Sequence, residues 1–138
     1  MAEEQRVQRR LTAILAADVV GYGRLMEQDE TGTLTMLKHR RQEVFDPLLA
    51  KHRGRIVKLI GDGVLAEFAS AVNAVECALA LQQDMAKANA GLDDSRHIVL
   101  RIGINLGDVM VDGSDLYGDG VNIAARLEAL AARRRLSL

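Results

Sequence analysis

The sequence is poor in cysteine and in aromatic residues: it contains one cysteine, Cys77, two tyrosines, two phenylalanines and no tryptophan. A single cysteine excludes an intramolecular disulfide, and the N-terminus lacks the apolar stretch of a secretory signal, so we expect a cytoplasmic protein. Cys77 itself is predicted to be a small buried apolar residue. The scarcity of aromatic side chains also argues against a base-stacking platform for nucleic acid.

An excess of one charge and a long apolar run are absent as well. Lys and Arg total 18 against 19 Asp and Glu, so the net charge is −1 and no nucleic-acid partner is expected. The longest apolar run, residues 11–20, contains Thr12 and Asp18. It has about half the length needed to span a bilayer, which predicts no membrane insertion within this chain.

The chain has the length and composition of one globular domain, with 138 residues of which 49% are hydrophobic and 27% charged. We therefore expect a single domain over residues 1–138. A nearly continuous apolar run at residues 12–17 predicts a strand buried on both faces, and strict alternation of isoleucine and leucine between residues 98 and 104 predicts a strand with one buried face.

The remaining patterns complete the order of elements. They predict a helix around residues 34–49, hairpin strands at 55–60 and 64–68, a helix after Ser70 and a last helix over about residues 121–132. This β-α-β-β-α-β-α order indicates an α+β fold, with a ferredoxin-like sheet and helices packed on one of its faces.

Two aspartates follow the predicted strands. Asp18 ends the first strand, and Asp62 lies between two glycines at the tip of the hairpin. These strands are neighbours in a ferredoxin-like sheet, so the two carboxylates are expected to face each other, an arrangement that suits Mg²⁺. Asp62 alone is equally an ordinary turn residue, whereas the cost of an unpaired buried charge favours a functional role for Asp18.

Lys58 lies within the first hairpin strand, four residues before Asp62. A period of two predicts that Ile56 and Ile60 share its face. Two interpretations are open: a lysine whose ammonium reaches solvent at a sheet edge, or a hydrogen-bond donor inside a pocket.

Asn122 and Arg126 belong to a polar, glycine-containing stretch over residues 114–126. Being four residues apart, they project from one face of the last predicted helix. Their place near a helix start suits a phosphate-bearing ligand, although a solvated helix face explains these two residues taken alone.

Three segments together resemble the catalytic domain of the class III adenylyl and guanylyl cyclases. The resemblance runs over about residues 10–130, and a set of three motifs in the family's order is far more specific than any one of them. The matching segments are Ala17-Asp18-Val19-Val20-Gly21, Lys58-Leu59-Ile60-Gly61-Asp62-Gly63, and Asp115-Leu116-Tyr117-Gly118-Asp119-Gly120-Val121-Asn122-Ile123-Ala124-Ala125-Arg126.

The resemblance implies an adenylate cyclase that converts ATP to 3′,5′-cyclic AMP and pyrophosphate for intracellular signalling. Asp18, Asp62 and the main-chain carbonyl of Val19 match the positions that hold two divalent cations, Mg²⁺ or Mn²⁺, in the family's two-metal displacement. The 3′-oxygen of the ribose attacks the α-phosphorus, and pyrophosphate leaves.

The resemblance assigns base recognition to Lys58 and Asp115. Lysine only donates and an ionised aspartate only accepts, which matches the N1 acceptor and 6-amino donor of adenine and mismatches guanine. Asn122 is expected to orient the ribose and Arg126 to neutralise charge on the α-phosphate. The family's sites lie at a dimer interface, so we expect a homodimer in which one subunit supplies the metal aspartates and the other supplies these four residues.

The sequence departs from the family's pattern in two places. The segment that follows the last helix in the family, with a lysine that contacts the triphosphate, has no counterpart, so the fold is expected to lack its last elements. No arginine lies between Gly107 and Asp115, where some members bind pyrophosphate. An engineered shortening, a frameshift and a natural short form would each produce such an end.

Two alternatives follow from these departures and from the acidic hairpin. The first is a catalytically silent cyclase domain that acts as a nucleotide-binding or dimerisation module. The second is a diguanylate-cyclase-like enzyme, which the absence of that family's Gly-Gly-Asp/Glu-Glu-Phe hairpin disfavours.

Overall fold

The computed structural model describes residues 8–130 and 136–137, and its centre is a mixed sheet. Neighbouring strands are antiparallel in the order β2-β3-β1-β4-β5, and β6 pairs in parallel with β4. The order β2-β3-β1-β4 is that of the predicted ferredoxin-like sheet, so the α+β fold is confirmed. The strands are β1 (Gln8–Val19), β2 (Gly54–Ile60), β3 (Gly63–Phe68), β4 (Leu100–Asp112), β5 (Asp115–Tyr117) and β6 (Leu136–Ser137).

Helices cover both faces of this sheet. They are α1 (Tyr22–Gln28), α2 (Glu30–Arg40), a π-helical turn (Arg41–Phe45), α3 (Asp46–Lys51), α4 (Ala71–Asn89), a 3₁₀ turn (Asp94–Arg96) and α5 (Asp119–Leu130). The segments α1 to α4 build the larger core on the first face, with Leu15 of β1 and Leu81 of α4 at its centre. Helix α5 lies on the second face, where Ala124 packs with Ile14 and Ala16.

The expectation that all helices share one face is therefore wrong. Residues 13–17 of β1 are buried on both faces, and a strand that is apolar on both sides needs a cover on each. Helix α5 provides the second cover. It begins at Asp119, two residues earlier than expected, and the part of the predicted helix beyond residue 130 lies outside the described residues.

The sheet curls until its two edges meet. Strands β2 and β5 stand at opposite ends of the strand order, yet Lys58 of β2 forms an ion pair with Asp115 of β5. Beside this pair, Nη1 of Arg55 donates to the carbonyl of Ser114 at 3.1 Å. The right-handed twist between neighbouring strands accumulates across a sheet and brings distant edges toward each other.

A β-bulge at Val57 sets the direction of Lys58. Ile56 pairs with Ala66, but Lys58 pairs with Leu65, so Val57 is an extra residue on β2. Ile56 packs on the first-face core, whereas Leu65 belongs to the second-face core. The expectation that Ile56 shares the face of Lys58 is wrong, because the bulge reverses the alternation between them.

Glu67 ties three strands together where α5 does not cover the second face. Its carboxylate accepts two hydrogen bonds from Arg10, at 2.7 and 2.9 Å, one from Arg55 and one from Thr12. Only 8% of Glu67 is exposed, so these partners replace the water that burial removes. Among the described helices, none is long and apolar enough to span a bilayer.

Candidate catalytic and metal site

The β2–β3 hairpin carries Asp62 to the end of β1. Gly61 turns the chain with a φ of +58°, a left-handed conformation that glycine adopts without steric cost. Oδ2 of Asp62 accepts a hydrogen bond from the main-chain N–H of Val19 at 2.9 Å. Asp62 therefore lies against the main chain of the residue that follows Asp18.

Asp18 is held by a residue that the sequence motifs do not include. Nε of Arg101 donates to its Oδ1 at 2.9 Å and Nη2 donates to its Oδ2 at 2.7 Å. Asp18 and Arg101 are also directly opposite each other in the β1–β4 register. The buried end of β1 thus has its charge neutralised by a bidentate pair, the strongest geometry for arginine and carboxylate.

Glu128 of α5 is the second carboxylate beside Arg101. Its Oε2 lies 3.7 Å from Nη2 of Arg101, and its side chain is 14% exposed. Burial and the neighbouring Asp18 carboxylate raise the pKa of Glu128 to about 7, and the charge of Asp62 acts in the same direction. Asp18, Asp62 and Glu128 therefore share one electrostatic environment around a single guanidinium.

Gly103 fixes the position of α5 over this cluster. A Cβ on Gly103 would stand 2.1 Å from the main-chain nitrogen of Glu128 and 2.5 Å from the carbonyl oxygen of Ala124. The helix backbone thus rests directly on the backbone of β4. Because contact occurs at backbone level, the helix cannot shift toward the sheet to move Glu128.

The oxygen donors at this edge fit a hard divalent cation. Asp18 and Asp62 supply carboxylates and Val19 supplies a main-chain carbonyl, the ligand types that Mg²⁺ and Mn²⁺ prefer. The described residues contain no cluster of three or more His, Cys, Asp or Glu side chains arranged for a metal. A cation here would therefore rely on two carboxylates together with main-chain, water or substrate oxygens.

Lys58 and Asp115, the predicted base-reading pair, are in contact. Nζ of Lys58 lies 2.9 Å from Oδ1 of Asp115, and each side chain is 32% exposed. The ammonium also stands 5.0 Å from the ring centroid of Tyr117. The hydrogen bond from Lys58 is the largest cause that lowers the pKa of Asp115, and a hydrogen bond from Tyr117 lowers it further. The bond to Asp115 raises the pKa of Tyr117.

Asn122 and Arg126 lie one turn apart on α5, and both are exposed. Within the described part of the chain, neither side chain makes a hydrogen bond or an ion pair. The main-chain N–H of Asn122 donates to the carbonyl of Gly118, which starts the helix. The structure thus leaves the two predicted transition-state residues available to a ligand and does not bring them into contact with Lys58 or Asp115.

A cavity of about 190 Å³ opens beside the hairpin on the first face of the sheet. Val19 and Asp62 line it, together with the cationic side chains Lys38 and Arg41. Neither Asp18 nor Arg101 is among the residues that line it.

Sequence reasoning missed Arg101, Glu128 and Tyr117 as neighbours of the site. A signal for Arg101 exists, because it alternates with the buried Leu100 and Ile102 and so faces the same side as Asp18. Glu128 and Tyr117 offered no such signal. The burial of Glu128 depends on which face of the sheet α5 covers, and the contact of Tyr117 depends on the curl.

Comparison with known proteins identifies the family. Residues 5–138 match the family model of the adenylate and guanylate cyclase catalytic domain. The chain is 65% identical over 131 residues to the Rhizobium meliloti protein named "Putative adenylate cyclase 3" and 38% identical over 138 residues to an adenylate cyclase of Streptomyces coelicolor. Each match covers 95% of this chain but only 22% and 32%, respectively, of the relative's length.

A solved structure agrees with these matches. The fold superposes on an adenylate/guanylate cyclase/hydrolase from Silicibacter pomeroyi with a TM-score of 0.84 and 49% sequence identity, covering 91% of this chain and 73% of that one. The resemblance inferred from the three motifs is confirmed: the chain belongs to the adenylate and guanylate cyclase catalytic domain family.

Proposed function

We propose that this chain, as a single catalytic domain over residues 1–138, is an adenylate cyclase that forms 3′,5′-cyclic AMP and pyrophosphate from ATP in the cytoplasm. The observation that carries the choice of base is the 2.9 Å contact between Lys58 and Asp115 across the meeting edges of the sheet. One donor and one acceptor stand side by side there, each partly exposed to a ligand.

This pair matches the edge of adenine. The N1 acceptor takes a hydrogen bond from the Lys58 ammonium and the 6-amino group gives one to Asp115, so both side chains keep a partner when the base separates them. Guanine presents an N1–H donor to lysine and an O6 acceptor to aspartate. Unpaired polar groups of this kind reject the wrong substrate strongly, which favours ATP over GTP.

Asp18, Asp62 and the Val19 carbonyl would hold two divalent cations, Mg²⁺ or Mn²⁺. These ions would supply Lewis-acid activation of the ribose 3′-hydroxyl and a counter-charge for the triphosphate. The hydrogen bond from the Val19 N–H orients the Asp62 carboxylate in advance. Arg126 is exposed and has no partner among residues 8–130, so its guanidinium is available for charge that develops on the α-phosphate as the bond to pyrophosphate breaks.

A second copy of the chain completes the proposed site. One subunit contributes Asp18 and Asp62, and the other contributes Lys58, Asp115, Asn122 and Arg126. Exposed large apolar side chains support a partner surface, because soluble monomers rarely leave extensive apolar area in water. They include Leu59 and Ile60 next to the hairpin tip, Leu106 and Tyr117.

The test is the formation of cyclic AMP from ATP with Mn²⁺ over a range of protein concentrations, with GTP in parallel. We expect activity per mole to rise with concentration and to favour ATP. Asp62→Ala should abolish it with the fold retained, whereas Asp46→Ala, at an exposed position on α3, should not. Normal turnover by Asp62→Ala would refute the metal assignment.

A folded chain that binds ATP without turnover at any concentration would indicate the silent nucleotide-binding or dimerisation module instead. A preference for GTP would refute the assignment of Lys58 and Asp115 to adenine recognition.

A further inference from the structure

The Asp18–Arg101 ion pair occupies the carboxylate that is proposed to bind a divalent cation. The guanidinium binds both oxygens of Asp18, at 2.9 and 2.7 Å. A divalent cation bound to the same carboxylate would stand within a few ångströms of this positive charge. At such distances like charges repel each other, so both cannot occupy Asp18 in their best geometry.

A second acceptor for the guanidinium stands beside the first. Oε2 of Glu128 is 3.7 Å from Nη2 of Arg101, too far for a hydrogen bond but within reach of a small side-chain rotation. The contact of α5 with Gly103 holds Glu128 in place at backbone level. The movable member of the trio is therefore the long arginine side chain and not the helix.

We propose that Arg101 is the internal counterion of Asp18, and that it transfers to Glu128 when Asp18 takes up a divalent cation. In the metal-free protein Arg101 neutralises the buried end of β1 and keeps Asp18 oriented. In the loaded protein Glu128 retains the displaced guanidinium, so no charge is left without a partner. Arg101 and Glu128 are thus positioning residues, and this inference rests on the proposed role of Asp18 as a metal ligand.

Transfer of the guanidinium predicts that Arg101→Gln has opposite effects on the metal-bound and the metal-free protein. Arg101→Gln removes the competitor, so Mn²⁺ should bind about 10-fold more tightly, which corresponds to a modest electrostatic coupling. The same substitution leaves Asp18 without its counterion, so the metal-free protein should have a lower Tm. Saturating Mn²⁺ should then raise the Tm of Arg101→Gln by more than it raises that of the wild type.

The experiment measures Mn²⁺ binding by the loss of the free-ion EPR signal, alongside thermal unfolding with and without Mn²⁺. Arg55→Gln is the matched control, because it also removes an arginine paired with a carboxylate on the second face, at Glu67. We expect its Mn²⁺ affinity to equal that of the wild type. If Arg101→Gln fails to fold, Arg101→Lys replaces it: lysine keeps the charge but loses the bidentate pair, so a smaller gain in Mn²⁺ affinity is expected, and an unchanged affinity would contradict the transfer.

Glu128 is tested by a double-mutant cycle. Glu128→Gln should weaken Mn²⁺ binding in the wild type, because the displaced guanidinium loses its charged acceptor. In the Arg101→Gln background the same change should have little effect. An equal loss in both backgrounds would mean that Glu128 acts directly on the cation, and it would overturn the transfer.

The outcomes separate this inference from the proposed function. If Asp18→Asn weakens Mn²⁺ binding while Arg101→Gln leaves it unchanged or weakens it, the metal site stands and the counterion role is wrong. If Asp18→Asn has no effect, the metal assignment itself fails, and the inference fails with it.

Discussion

At the scale of single residues, the surroundings of Glu67 and Cys77 determine how these two buried groups behave. Glu67 is surrounded by two arginines and a threonine hydroxyl. Cys77 is fully buried among apolar side chains, as its sequence context predicted. The consequences for stability and for reactivity can be measured separately.

Glu67→Ala should lower the free energy of unfolding by about 1–3 kcal/mol, because it removes charge-assisted hydrogen bonds from two arginines that remain partly exposed to water. Glu43→Ala is the control. Glu43 is exposed and, among the residues that the structure describes, pairs only with His39, so a change within about 0.5 kcal/mol is expected. Urea unfolding followed by circular dichroism measures both. Equal effects of the two substitutions would show that the Glu67 cluster does not stabilise the sheet.

Cys77 should be inert to an aromatic disulfide reagent in the native protein at pH 8. Burial raises the pKa of its thiol to about 12, and only the thiolate reacts. The labelling rate should rise steeply with urea as the core opens. Rapid labelling without denaturant would contradict the packing of α4 against the sheet.

At the scale of elements, the contact between α5 and β4 positions the residues of the site. Glycine at position 103 is required there because main-chain atoms of the helix occupy the space of a side chain. The same contact places Glu128 beside Arg101 and leaves Asn122 and Arg126 on the exposed side. Packing and chemistry therefore depend on one close approach.

Gly103→Ala should destabilise the protein by about 1–3 kcal/mol, since the helix backbone has to move away from an added Cβ. Gly23→Ala is the matched control. Gly23 lies in α1 with no atom of the described residues within 4 Å of its Cβ position, so alanine should be neutral or should stabilise by up to about 1 kcal/mol. Denaturant midpoints compare the two. A harmless Gly103→Ala would mean that α5 does not rest on β4.

At the scale of the whole molecule, the curl of the sheet unites residues from its two edges, and the proposed dimer unites two such sheets. Lys58 and Asp115 are neighbours only because β2 meets β5. In the proposed assembly these residues serve the aspartates of the other copy. Variants from opposite halves of the site should then rescue each other.

Asp62→Ala and Arg126→Ala should each be inactive alone and should regain about one quarter of the wild-type activity when mixed in equal amounts. Random exchange makes half of the dimers mixed, and each mixed dimer has one intact site of two. A mixture of Asp62→Ala with Asp18→Ala is the control, because both changes fall in the same half and no rescue is expected. Failure of the first mixture, despite proven subunit exchange, would contradict a shared site.

Much of the framework was accessible from the sequence because its signals are local. Apolar periodicity predicted the order of β1 to β4 and of the longer helices but not α1 or β5, and three short motifs indicated the family. Periodicity failed at Val57, where one extra residue reverses the alternation, and at α5, whose face is not encoded in its own pattern. Neither the bulge nor the face that α5 covers produces a recognisable pattern within a few neighbouring residues.

The sequence by itself determined the elements, the apolar core of β1 and the residue types that the chemistry requires, since these depend on neighbours along the chain. The tertiary structure decided which charges meet. The contacts of Lys58 with Asp115 and of Asp18 with Arg101 join residues 57 and 83 positions apart. Such pairs follow from accumulated strand twist and from strand register across the whole sheet, which no local pattern contains.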